Sequence, residues 1–87
     1  MQTPNDLATA IRSEPAGLDA STIDAICNAL PPEWPEPGDD EQMLLTSAPD
    51  GYGGRLRFIL VRLPHSWRVE GGDGGGEVVW TSLAVSA

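Results

Sequence analysis

The stretch Arg55-Leu56-Arg57-Phe58-Ile59-Leu60-Val61-Arg62-Leu63 decides the fold, because it is the strongest strand candidate in the chain. Its apolar side chains alternate between the two faces of an extended backbone: Leu56, Phe58 and Leu60 on one face, and Ile59, Val61 and Leu63 on the other. A strand that is apolar on both faces is typical of the centre of a sheet. The stretch therefore predicts a central strand, flanked by its arginines and ended by Pro64.

Two further strands are predicted after Pro64. Residues 65–70 alternate so that Trp67 and Val69 share a face, and residues 77–85 are rich in valine and other strand formers. Between them lies the run Gly71–Gly76, which predicts a flexible loop at the tip of a hairpin. Upstream of the central strand, Met43–Leu45 predicts a short strand, followed by a turn through the glycines before Arg55.

The N-terminal third predicts two short helices. Thr3 is a helix cap, Pro4 suits the first turn, and Asp6 stands where a capping-box partner belongs. Pro15 disfavours helical geometry at Glu14, so the first helix should end there.

The second helix has the clearer pattern. Asp19 is its predicted cap, and Leu18 is placed to pack against a residue four positions into the helix. The spacing i, i+3, i+4 and i+7 produces one apolar stripe, made of Ile23, Ile26, Cys27 and Leu30. Prolines at positions 31 and 32 end this helix.

The order of these elements predicts an α+β fold, because helices come first and strands follow. We expect two N-terminal helices packed on one face of a three- to four-stranded antiparallel sheet. The 87 residues are expected to form a single domain, residues 1–87. Within it, residues 1–30 form the helical part, 31–41 an acidic proline-rich connector, and 42–87 the antiparallel sheet.

The charge balance limits the classes of partner. Thirteen acidic residues stand against five basic ones, all arginine, and the formal net charge is −8. Such a field repels nucleic acid and anionic membranes and attracts basic protein surfaces. We predict a cytoplasmic protein, because the sequence has a single cysteine, no leader with a basic and an apolar part, and no apolar run long enough to span a bilayer.

The connector, residues 31–41, holds the candidate binding residues. It combines four prolines with five acids, so neither a helix nor a central strand is expected. Trp34 is either an exposed anchor for a partner or a lid that folds back over a small core. The candidate contacts for a protein partner are the acids and the one aromatic residue of this segment: Glu33, Trp34, Glu36, Asp39, Asp40 and Glu41.

Other motifs are weak as catalytic or ligand sites. The glycines of residues 71–76 lack the lysine, the hydroxyl residue and the following helix of a phosphate loop. Asp39–Glu41 lacks the pattern of a calcium loop, and the pair Cys27 and His65 is more simply explained by burial of the cysteine. We therefore expect no enzyme activity, no cofactor and no metal; an enzyme would need a site completed by another subunit.

The two tryptophans of the sheet region have a similar choice of interpretations. Trp67 and Trp80 could stack nucleobases, but such platforms lie in basic grooves, so the negative charge argues against nucleic acid. They are better explained as core residues or as a cross-strand aromatic pair.

Two hypotheses of function follow. In the first, the chain is an acidic protein-binding module that occludes a basic, nucleic-acid-binding surface of a partner. In size and charge, though in no motif, it resembles small inhibitors of phages and mobile elements, including anti-CRISPR proteins, and some immunity proteins and antitoxins. In the second, the chain is a homo-oligomeric or accessory structural subunit that pairs through its last strand, residues 77–85.

Overall fold

Two helices and five strands follow one another along the chain, in a computed structural model that describes residues 2–13, 17–35, 42–49 and 52–86. The elements are α1 (Pro4–Ser13), α2 (Ala20–Ala29), β1 (Gln42–Pro49), β2 (Arg55–Leu63), β3 (Ser66–Gly72), β4 (Val78–Thr81) and β5 (Val85–Ser86). The helices pack against one face of an antiparallel sheet. The predicted α+β arrangement is confirmed.

Both helices begin at the caps that the sequence predicts. The backbone N–H of Thr3 donates to Oδ2 of Asp6 at 2.6 Å, and the backbone N–H of Asp6 donates to the carbonyl of Thr3 at 2.9 Å. At α2, Oδ1 of Asp19 accepts from the backbone N–H of Thr22 at 2.8 Å. Hydrogen bonds from Thr22 and Ser21 hold the pKa of Asp19 below its ordinary value, because they stabilise the ionised carboxylate.

Strand β2 lies inside the sheet, as predicted, with β1 on one side and β3 on the other. Its pairing with β1 runs from Val61 opposite Gln42 to Arg55 opposite Pro49, with an irregularity between Leu44 and Thr46. Strand β1 therefore spans eight residues, which corrects the three-residue strand expected at Met43–Leu45. The predicted strand was too short because Thr46 and Ser47 are polar, and polar residues gave no strand pattern, yet both residues pair with β2.

The alternation of β2 defines two faces of the sheet. One, the core face, carries Leu56, Phe58 and Leu60 towards the helices, and the other, the outer face, carries Ile59 and Val61. The core is formed by buried apolar residues of both helices and of the strands: Leu7, Ile11, Ile23, Ile26, Ala48, Phe58, Leu60, Trp67, Val69 and Val85. The helical stripe predicted for α2 thus packs on the sheet, with Cys27 and Leu30 only partly buried.

Gly71 and Gly72 belong to strand β3, which corrects the flexible loop expected at Gly71–Gly76. In the sheet, Gly71 stands opposite Phe58 on one side and Trp80 on the other, and these two rings meet edge to face at 5.8 Å between centroids. Because Gly71 has no side chain, the two rings can occupy the space beside its Cα. The sequence pattern did not predict these two glycines in a strand. A run of glycines indicates a loop unless the neighbouring strands are known.

The turn that remains between β3 and β4 is organised by Asp73. Its Oδ1 atom accepts from the backbone N–H groups of Gly75, at 2.8 Å, and Glu77, at 3.1 Å. Its own backbone N–H donates to the carbonyl of Glu77 at 2.9 Å. One carboxylate therefore closes the hairpin.

The last strand is interrupted, which corrects the continuous strand expected over residues 77–85. β4 and β5 both pair with β3, and residues 82–84 separate them. Ser82 fills the gap in the ladder: its hydroxyl accepts from the backbone N–H of Val69, and its own N–H donates to the carbonyl of Val69, each at 2.8 Å. Side-chain bonding of this kind competes with regular pairing and breaks the strand.

We expect Gly71→Ala to destabilise the fold, because a Cβ at this position would lie 2.9 Å from Cε1 of Phe58. Overpacking of this kind costs about 1–3 kcal/mol of unfolding free energy. Gly74→Ala is the matched control, since no atom lies within 4 Å of the Cβ it would add. Urea denaturation of both variants measures the difference, and equal midpoints would contradict the packing described for Gly71.

Candidate functional site

Trp34 is half-buried and lies flat against the core. Its ring stacks on that of Trp67, with 5.3 Å between centroids and 2° between planes. Its Nε1–H donates to the backbone carbonyl of Gln2 at 2.8 Å. Trp67 itself is 4% exposed, so Trp34 covers a buried ring at the edge of the core.

The stack places Trp34 as a lid, which is one of the two arrangements that the sequence left open. Its indole N–H is already bonded and its ring contacts Trp67, so Trp34 ties the start of the connector to the folded body. We define the acidic segment as residues 33–41, which begin one residue before Trp34. Contact of Trp34 with a partner stays a prediction.

Of the acids predicted to bind a partner, the structure describes Glu33, whose side chain is exposed. Glu36, Asp39, Asp40 and Glu41 lie outside the described residues. The acidic segment contains five acids in nine residues and no basic residue.

The described residues on either side of the gap lie at one end of the sheet. Trp34 stacks on Trp67, which pairs with Arg62 in β2, and Gln42 pairs with the neighbouring residue, Val61. Trp34 and Gln42, which stand on either side of residues 36–41 in the chain, therefore both lie at the end of the sheet that bears the β2–β3 turn.

Three of the five arginines share one face of the sheet. By strand register Arg55, Arg57 and Arg68 lie on the outer face of the sheet, together with Ile59 and Val61. From the sequence, the arginines of residues 55–63 are predicted only to flank a strand. The period-two spacing of Arg55, Arg57 and Ile59 was the signal that could have shown a shared face.

Two of the five arginines form ion pairs in the described part of the chain. Arg12 pairs with Asp24 at 2.5 Å, joining the two helices, and Arg68 pairs with Glu70 at 2.6 Å on the outer face. The first is exposed and contributes little to stability. Arg55 instead donates to the hydroxyl of Ser47, at 3.1 Å, and to its carbonyl, at 3.3 Å.

The chemistry considered for Cys27 is not favoured by its surroundings. Burial raises the pKa of the Cys27 thiol, and its Sγ lies 3.8 Å from the carbonyl oxygen of Ala8, as a weak donor. A protonated thiol is a poor nucleophile. His65 stands on the β2–β3 turn and is exposed, whereas Cys27 packs between the helices.

The described residues form neither a metal-binding cluster nor a membrane-spanning helix. No three histidine, cysteine, aspartate or glutamate side chains among them are grouped so as to hold a metal ion. Asp39–Glu41, the acids weighed for a cation, lie outside this part of the chain. No helix among the described residues is long and apolar enough to cross a membrane.

We expect Trp34→Ala to lower the free energy of unfolding by about 2 kcal/mol, because it removes the stack on Trp67 and the bond to Gln2. Trp34→Phe should cost about 1 kcal/mol, since it keeps a stacking ring and loses the N–H donor. Leu83→Ala, at a residue 57% exposed, is the control and should change stability by less than about 0.5 kcal/mol. Chemical denaturation checks the order; a Trp34→Ala variant as stable as the control would contradict the lid.

Comparison with known proteins assigns this chain to no family. No protein-family model, no curated protein and no solved structure matches it. Its function is therefore inferred from its own residues and from the way the fold arranges them.

Proposed function

We propose that this chain is a small cytoplasmic acidic protein-binding module, which occludes a basic, nucleic-acid-binding surface of a partner protein. The observation that carries the proposal is the acidic segment: five acids in nine residues without a base, tied to the body by the stack of Trp34 on Trp67. Glu33, Glu36, Asp39, Asp40 and Glu41 supply the charge.

Long-range attraction supports such an association. The net charge of −8 on 87 residues raises the rate of association with a basic surface, and salt weakens this effect. Carboxylates bound to arginines of a nucleic-acid-binding site would compete directly with phosphates, because both anions accept the same guanidinium hydrogen bonds. Phage anti-CRISPR and immunity-type proteins inhibit by occlusion of this general kind.

Anchoring of the segment adds to affinity. A free acidic chain loses conformational entropy when it binds, whereas a segment held at both flanks loses less. Trp34 holds one flank and the pairing of Gln42 with Val61 holds the other. Both flanks of the proposed acidic binding segment are therefore held by contacts with the sheet.

Capture of the partner tests the proposal. The tagged chain is incubated with lysate of its native host at low and at high salt, and bound proteins are identified by mass spectrometry. We expect one basic protein or complex at low salt and its release at high salt. The purified partner should then lose nucleic-acid binding, in a gel-shift assay, as the chain is added.

Charge reversal identifies the surface. Glu33→Lys should weaken the captured complex by about tenfold, and reversal of all five acids of the segment should abolish it. Glu77→Lys is the matched control, because Glu77 is also an exposed glutamate but lies on the β3–β4 turn. If both single variants weakened the complex equally, the effect would come from net charge alone. That result would contradict a binding site in the acidic segment.

A second candidate function is that of a homo-oligomeric or accessory subunit, and one observation favours it. Three apolar residues in β4 or shortly after it are open to solvent: Val78 at 49%, Val79 at 53% and Leu83 at 57%. Strand β4 ends the path β1-β2-β3-β4, so pairing with β4 of another copy would continue the sheet. Such pairing would also cover these side chains.

This candidate predicts a mass in solution that is a multiple of 9.2 kDa, measured by sedimentation equilibrium. Val79→Lys should then restore the monomer, because it places a charge in the paired edge. Leu44→Lys, at an exposed apolar residue of β1 on the far edge of the sheet, is the control and should leave the mass unchanged. A monomer at all concentrations would exclude the oligomer.

A further inference from the structure

The outer face of the sheet is divided into a basic half and an apolar half. Along β2 the side chains of this face are Arg55, Arg57, Ile59 and Val61, in that order. Beside Ile59 stands Leu44 of β1, and both helices pack on the opposite, core face. This arrangement is independent of the acidic segment, because all of these residues are described and lie on strands.

The basic half has a charge opposite to that of the whole chain. Arg55, Arg57 and Arg68 lie on this face with one carboxylate, Glu70, which is paired with Arg68. In the described part of the chain, neither Arg55 nor Arg57 forms an ion pair. A protein of net charge −8 thus collects most of its arginines on one sheet face and leaves two of them without a carboxylate among the described residues.

The apolar half is adjacent to these arginines. Leu44 is 62% exposed and stands directly opposite Ile59, which is half-buried. Val61 is 8% exposed and stands between Gln42 and Arg68 of the neighbouring strands. An exposed leucine beside a half-buried isoleucine forms a small apolar contact area with a charged rim, the composition of a protein contact surface.

The spacing of the arginines indicates the shape of the ligand. Arg55 and Arg57 are alternate residues of one strand, so their Cα atoms are roughly 7 Å apart. Carboxylates on alternate residues of an extended chain have the same spacing, and a guanidinium binds a carboxylate with two parallel hydrogen bonds. Apolar residues further along such a chain would meet Ile59 and Leu44.

Two other occupants fit the charges less well. A second copy stacked on this face by a two-fold axis would set the arginines of one molecule against the arginines or the apolar half of the other, where the described residues offer no unpaired carboxylate. Nucleic acid would match the arginines, but its phosphates offer no apolar group to Ile59 and Leu44. An acidic protein segment satisfies both the arginines and the apolar half.

We propose that the outer face binds an extended acidic segment of a partner protein, with carboxylates on Arg55 and Arg57 and apolar side chains on Ile59 and Leu44. This is a second binding surface, opposite in charge to the acidic segment. It stands whether or not the acidic segment binds a basic partner.

The test uses the full chain, labelled with nitrogen-15, and synthetic peptides in NMR titrations. The probe carries two glutamates and then two leucines at alternate positions, with serine between them, in both sequence orders. Matched peptides replace the glutamates with glutamine or with lysine. We expect the acidic peptide to shift the amide signals of β2, around Arg57 and Ile59, and to bind at least about tenfold more tightly than the glutamine peptide.

Arginine variants localise the effect. Arg57→Gln should weaken binding of the acidic peptide by about tenfold, whereas Arg12→Gln should leave it unchanged. The two variants change the net charge equally, but Arg12 lies on α1, paired with Asp24. Leu44→Ser should weaken binding of the same peptide without altering its dependence on salt.

Three outcomes would overturn the proposal. The first is equal binding of the glutamate, glutamine and lysine peptides, including no binding of any, and the second is equal loss with Arg57→Gln and Arg12→Gln. The third is a dimer in sedimentation that Leu44→Ser dissociates, because the face would then belong to a second copy. Circular dichroism of each variant confirms that the fold is retained before binding is compared.

Discussion

One layer of helices and one sheet can bury only one face of that sheet, and this constraint shapes the protein. Strand β2 is apolar on both faces, yet both helices pack on the face of Phe58 and Leu60. The other face keeps Ile59 half-buried and Leu44 exposed. A chain of 87 residues has too little material to cover both, so its inner strand also forms part of its surface.

The core is closed at its margins by aromatic side chains. Trp80 meets Phe58 over Gly71 at one place, and Trp34 stacks on Trp67 at another. Trp34 lies outside the helices and strands, and Trp80 lies in the short strand β4. Each packs against an aromatic ring of the sheet, Trp34 against Trp67 and Trp80 against Phe58. The same stack that completes the core also fixes where the acidic segment starts, so stability and the proposed binding surface depend on one contact.

The described flanks of the acidic segment and two of the arginines lie at different ends of the sheet. Trp34 and Gln42 lie near the β2–β3 turn, while Arg55 and Arg57 lie towards the other end of β2 on the outer face. Because β2 rises roughly 3.3 Å per residue, Arg55 and Val61 are about 20 Å apart along the strand. Arg55 therefore lies beyond the screening length of physiological salt from Val61, the residue that pairs with Gln42 at the C-terminal flank of the acidic segment.

The sequence by itself determined the order of elements, both helix caps, the inner position of β2 and the negative charge, because caps, periodicity and composition are local properties. It predicted Gly71 and Gly72 as a loop and the last strand as continuous, because local patterns do not contain the neighbours Phe58, Trp80 and Val69. Whether Trp34 was an anchor or a lid depended on Trp67, thirty-three positions away, and only the tertiary structure could bring the two rings together. The arginine face was likewise present as a spacing in the sequence, but the side of the sheet that the helices leave open is decided by packing.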